Sequence, residues 1–167
     1  MTITQATIAG SMQAGNFAPY TGTPGPVGPI GSLFLYQETT TANVPARQRL
    51  TFTSTVPIKS VEFVVNDHTR SNAYHDGLIL TGFGSQSATS VDTRTGGVTI
   101  VGNGTSANPW TLSGVQTDNA TSRTRVAAQS PTASVNTFTF EYINATNPAV
   151  VGGSAQYISL SDLQICF

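Results

Sequence analysis

A chain of 167 residues, 9% of them charged and with a formal net charge of −1, has no basic field to hold a phosphate backbone, which excludes nucleic acid as its main partner. Sixteen Gly, nine Pro and a Thr plus Ser content near a quarter fit many short strands and turns rather than helices, and one domain of this length buries roughly 70% of its extended surface. The lone Cys166 excludes an internal disulfide, and no window approaches the ~18 apolar residues of a membrane span, so no membrane insertion is expected.

The opening MTITQATIAGSMQAG lacks a basic region and a continuous apolar stretch, so it does not read as a secretory signal. Two contexts follow: a piece of a longer exported protein, or a complete protein that reaches the outside without a signal, as a virion component does. Residues 2–8, TITQATI, make a weak first strand. From Gly10 to Gly31 the chain is rich in Gly, Pro, Ala and Thr, and Gly22–Gly31 repeats G-X-Y with the period of collagen. So few triplets cannot hold a trimer alone, and an extended or edge segment is expected. Residues 1–31 are read as this N-terminal segment and 32–167 as the folded domain.

Ser32–Tyr36 is an apolar run fit for a buried strand, followed by a polar loop to Pro45. Arg49–Ser54 alternates, with Leu50 and Phe52 on one face and Thr51 and Thr53 on the other. In the stretch VEFVVNDHTRSNAYHDGLIL, Val61, Phe63 and Val65 face inward on one arm and Leu78 and Leu80 on the other. Gly96-Gly97 marks a hairpin turn before Val98–Val101, and the glycine-rich loop from Gly102 leads to the sole tryptophan, Trp110, with Leu112 beyond it. Val126 anchors a strand within 117–134, and Asn136–Ile143 points Phe138, Phe140 and Tyr142 inward. In the last segment Ile158 and Leu160 have one parity and Leu163, Ile165 and Phe167 the other, so a β-bulge near Ser161 and Asp162 is needed to keep both sets inward. With eight to ten strands and no helix-period pattern, the expected fold is all-β, an antiparallel two-sheet β-sandwich of jelly-roll, lectin-like type.

The chemistry concentrates between the arms of the central stretch, where both histidines lie. A hairpin there brings Asp67 and Asp76 together, either as calcium ligands with loop carbonyls and Asn66 or Asn72, or as acceptors of backbone N–H groups that pin the turn. His68, Arg70, Asn72, Tyr74 and His75 either line a sugar site, with the aromatic ring on the apolar sugar face, or form a solvated loop. Trp110 is a stacking platform for the same ligand or a cover for one end of the core. The histidines, seven apart on a loop, make a poor zinc pair, and no nucleophile elbow or phosphate cradle occurs, so no enzymatic activity is expected.

The segments GPIGSLFLYQETT, RLTFTSTVPIKSVEFVVND, HDGLIL, GNGTSANPW and YISLSDLQICF resemble the lectin-like β-sandwich domains of large bacterial surface adhesins, over residues 25–167. Those domains typically carry a Phe-rich strand ending in an acidic turn, a nearby Asp-x-Val-x-Leu strand, a Gly-x-Gly-Thr-x-x-x-Pro-Trp loop and a terminal Ser-Asp-Leu strand. This chain departs from them in having Thr69 where a second acid of the turn is usual. The resemblance implies recognition of a glycan or a cell-surface protein in an extracellular setting. A second expectation rests on the collagen-like stretch and the missing signal: a phage virion structural protein, a fibre head or capsid decoration subunit, that forms a homo-oligomer, a trimer, through its N-terminal segment.

Overall fold

The computed structural model describes residues 1–23, 26–117, 121–130, 135–145 and 155–167. Two antiparallel sheets face each other. One has the order β1 (Thr2–Ala9), β5 (Arg47–Ile58), β12 (Val135–Asn144), β7 (Asp76–Thr81). The other has the order β2 (Ser11–Met12), β4 (Leu33–Glu38), β13 (Ala155–Cys166), β6 (Ser60–Asn66), β11 (Thr124–Gln129), β8 (Ser85–Ser90), with β3 (Ala18–Pro19) also against β4. A small ribbon, β9 (Ile100–Val101) with β10 (Thr111–Leu112), sits beyond the β7 edge, where Leu78 and Trp110 form a bridge. Successive long strands cross from sheet to sheet at each end, β4 to β5, β5 to β6, β6 to β7, β11 to β12 and β12 to β13, as in a jelly-roll sandwich.

The two-residue period of each strand selects which side chains enter the core. Leu50 and Phe52 from β5, Leu78 and Leu80 from β7, and Phe138, Phe140 and Tyr142 from β12 meet Leu35, Val61, Phe63, Val65, Val126 and Ile158 from the opposite sheet. Phe52 and Phe138 are cross-strand partners whose rings stack at 4.4 Å, and Phe63 meets Phe140 edge-on at 5.2 Å across the sandwich. On the outer face of the four-stranded sheet, Glu141 is covered by Arg47 and by Arg49, whose Nε lies 2.7 Å from it.

Several expectations change in detail. The shift in β13 lies between Ser161 and Gln164, with Asp162 at a φ of 54°. It returns Ile165 to the core, but Leu163 and Phe167 stay exposed, as does Cys166. Gly96-Gly97 forms a short 3-10 turn rather than a hairpin tip. The N-terminal segment is woven into the sandwich: β1 pairs along β5, and Tyr20 and Val27 pack with Phe34 on the outer face of the larger sheet. The Tyr20 hydroxyl accepts the Val27 N–H at 3.1 Å. Gly22 and Gly31 have φ values of 101° and 87°, far from the extended φ of about −75° that collagen needs. Pro24 and Gly25, within the collagen-like stretch, lie outside the described residues.

Candidate functional site

The stretch from β6 to β7 is not a hairpin. β6 belongs to the larger sheet and β7 to the smaller, so residues 67–75 bridge the two layers at one end of the sandwich. Asp67 and Asp76 still meet, because the Thr69 carbonyl accepts the Asp76 N–H at 3.1 Å and Arg70 bridges to His75. The loop is moored outward as well: Arg70 and Gln116 exchange both backbone hydrogen bonds at 2.9 Å, and the Ser122 carbonyl accepts the His68 N–H at 3.0 Å. Asn66, Asp67, His68 and Thr69 are all buried, which is unusual for a polar run and requires each group to find a partner.

Asp76 is fully paired. Its Oδ2 accepts the Thr69 N–H at 2.8 Å and the Thr69 hydroxyl at 3.0 Å, and its Oδ1 accepts the Tyr142 hydroxyl at 2.7 Å and Gln156 Nε2 at 3.1 Å. Burial nevertheless outweighs these bonds and pushes its carboxyl up to about 7. Asp67 sits in left-handed backbone at a φ of 62° with 3% of its surface exposed, and its Oδ1 has no hydrogen-bond partner among the described residues. Burial first and the neighbouring Asp76 second push its carboxyl up to about 9. The Oε1 of Gln156 is likewise unpartnered and buried. Asp67, Thr69, Tyr74, Asp76, Ala155, Gln156 and Tyr157 line one cavity of about 60 Å³.

The residues singled out in the sequence divide around this cavity. Asp67, Tyr74 and Asp76 line it. His68 is wholly buried behind it, with Nδ1 at 2.8 Å from the Thr124 hydroxyl and Nε2 at 3.3 Å from the Asp76 carbonyl, which removes it from any ligand contact. Arg70 and His75 turn toward β10: Arg70 Nη1 donates to the Leu112 carbonyl at 2.6 Å, and His75 Nε2 accepts the Leu112 N–H at 3.2 Å. Asn72 is exposed at the loop tip. Trp110 is 3% exposed and belongs to the core, so it is no stacking platform; only a glycine at position 104 leaves room for its ring. The sequence did not single out Gln156, Tyr157 or Arg94, and it placed Tyr142 only among the inward-facing core residues. Arg94, 5% exposed, ties the loop to β11 through the His68 carbonyl at 3.1 Å and the Thr124 hydroxyl at 2.8 Å.

A larger open groove of about 390 Å³ lies on the outer face of β8, β11, β6 and β13, over Ser60, Ser87, Ala127, Gln129 and Gln164. Its lining is exposed or half-buried apart from Val61 and Ala128, and none of the unpartnered buried atoms belongs to it, so the loop cavity is the stronger candidate. No protein-family model, curated protein or solved structure matches the chain.

The titrating groups set a pH profile. Burial, with Arg94 adding to it, lowers His68 to about 3, and burial with Arg70 lowers His75 to about 4, both from 6.5. Groups with lowered histidine values stabilise the fold fully above 6.5 and lose that contribution as pH falls toward 4 and 3. The raised carboxyls act oppositely: their contribution is present below 3.8 and is lost as pH rises through 7 and 9. Between pH 4 and 6.5 the two pairs offset each other, and above 6.5 only the aspartates remain. In chelating buffer the thermal midpoint is therefore expected to fall from pH 6.5 to 9; scanning calorimetry across that range would show a flat or rising profile if both carboxylates were already ionised.

Proposed function

We propose that this chain is a non-enzymatic recognition module that binds a glycan or a surface protein at the end of the sandwich closed by residues 67–75, in the manner of the lectin-like adhesin domains its sequence resembles. The observation that carries this reading is the set of unpartnered buried oxygens on Asp67 and Gln156 in a cavity that the half-exposed rings of Tyr74 and Tyr157 also line. Rings that stack on apolar faces beside oxygens that fix hydroxyl or amide donors are the general chemistry of glycan and peptide recognition. A cavity of about 60 Å³ is well below the ~300 Å³ at which pockets begin to engulf small molecules, which favours a ligand lying across the mouth over a substrate enclosed for chemistry. Both sheets anchor the loop, so the contact groups are held before the ligand arrives.

The test is a glycan array and an array of extracellular proteins probed with the purified chain and with Tyr74→Ala. The variant is expected to bind at least tenfold more weakly to whatever the parent captures, with its far-UV circular dichroism unchanged. Equal binding by both proteins would move the ligand away from this end of the sandwich.

A further inference from the structure

We infer that the cavity at the end of the sandwich is a calcium site in which Asp67 and Gln156 are the direct protein ligands and the Asp76 carboxylate supplies the adjoining charge. The inference deepens the recognition reading at the same cavity, since the Asp67 and Gln156 oxygens that carry that reading are the ones that would meet the ion, and calcium titration with no glycan or protein ligand present tests the ion alone. A buried carboxyl is paired with a cation, bound to a metal ion or protonated, because desolvation of an isolated charge is prohibitive. Among the described residues the ion pairs use Glu141, Asp92 and Glu62, and none reaches Asp67 or Asp76. Among the described residues no Lys or Arg lines the cavity.

The geometry identifies which oxygens remain for an ion. Both oxygens of Asp76 already accept two hydrogen bonds each, so that carboxylate holds its surroundings rather than opening toward a new ligand. One of those bonds comes from Gln156 Nε2, which fixes the carboxamide and leaves its Oε1 unpartnered. Asp67 Oδ1 is also unpartnered, on a residue with 3% of its surface exposed and backbone of the left-handed type. The Thr69 hydroxyl and the phenols of Tyr74 and Tyr157 belong to further residues of the lining.

The chemistry of the lining selects the ion. Among the described residues every donor side chain there offers oxygen, and no histidine or cysteine takes part, which disfavours zinc and copper. Calcium accepts neutral amide and hydroxyl oxygens at about 2.3–2.6 Å in a flexible shell, whereas magnesium demands a near-octahedral one and keeps most of its waters. At ~30 Å³ for each water, a cavity of about 60 Å³ has room for an ion with a water or two to complete its coordination. Asp67 follows β6, Asp76 opens β7 and Gln156 lies in β13, so one ion would clamp strands from both sheets.

The test is isothermal titration of the chelator-treated chain with calcium chloride, with thermal melts in calcium, in magnesium and in chelator. A saturable calcium heat is expected, with a rise in Tm of roughly 5–10 °C at a hundredfold excess over Kd and a smaller rise in magnesium. Asp67→Asn should weaken calcium binding at least tenfold while melting no lower than the parent in chelator, because it removes an unpartnered acid. Tyrosine-sensitised terbium luminescence on the unaltered chain, displaced by calcium, gives the same answer without a variant. Absence of any calcium heat, Tm shift and terbium signal at millimolar ion would overturn the inference, as would an undiminished calcium response in Asp67→Asn.

Discussion

Asp76→Ala is expected to lower the unfolding free energy by about 4–6 kcal/mol, close to the whole stability of a marginal domain, which runs at ~5–15 kcal/mol. The substitution strands the Thr69 N–H, the Thr69 hydroxyl, the Tyr142 hydroxyl and Gln156 Nε2, all in buried surroundings. Each stranded donor costs ~1–3 kcal/mol, and water entering the vacated volume recovers part of the total. Those donors come from the loop, from β12 and from β13, so the loss loosens both sheets at one end. Urea denaturation of the purified variant is the measurement. A loss below about 1 kcal/mol would mean that the network does not hold in solution. Asp67 differs in that its Oδ1 accepts no hydrogen bond among the described residues.

Gly104→Ala is expected to cost about 3 kcal/mol and to lower the Tm by roughly 6–12 °C. Gly104 has a φ of 75°, which L side chains adopt at a cost of ~1–2 kcal/mol. A Cβ there would lie 2.7 Å from three atoms of the Trp110 ring. The ring cannot retreat, because Trp110 and Leu78 exchange backbone hydrogen bonds at 2.9 and 3.0 Å and the side chain is buried in the core. Leu80 also donates to the Gly104 carbonyl at 3.0 Å, so a shift of the loop would pull on β7. Gly84→Ala serves as the control, since an added Cβ there meets nothing within 4 Å; its midpoint should move by less than a quarter as much. Equal effects at the two glycines would show that Trp110 is not held against Gly104.

The strands that carry strong alternation were legible without coordinates. Phe52, Phe63, Phe138 and Phe140 all stand where their parity places them, and the register break in β13 falls between Ser161 and Gln164, close to where opposed parities required it, but of the second set only Ile165 turns inward. β8 was not legible: SQSATS has no apolar period, and the strand forms because β11 offers it an edge. Cys166 illustrates the same limit, since its parity leaves it a buried or an interface position and its place on an outer face leaves it exposed.

At the site, the sequence by itself determined that the chemistry would gather between β6 and β7, because both histidines and two of the acids lie within that one polar run. It also determined strands with one inward face, because a two-residue period puts alternate apolar side chains on the same side. Only the tertiary structure decided that the run spans two sheets rather than closing a hairpin, since which sheet a strand joins depends on distant neighbours. Gln156 reaches Asp76 across 80 residues and Tyr142 across 66, and no local pattern announces either. Whether a buried polar atom is satisfied depends on such long-range partners, so the separation of a saturated Asp76 from an unpartnered Asp67 exists only once the chain is folded.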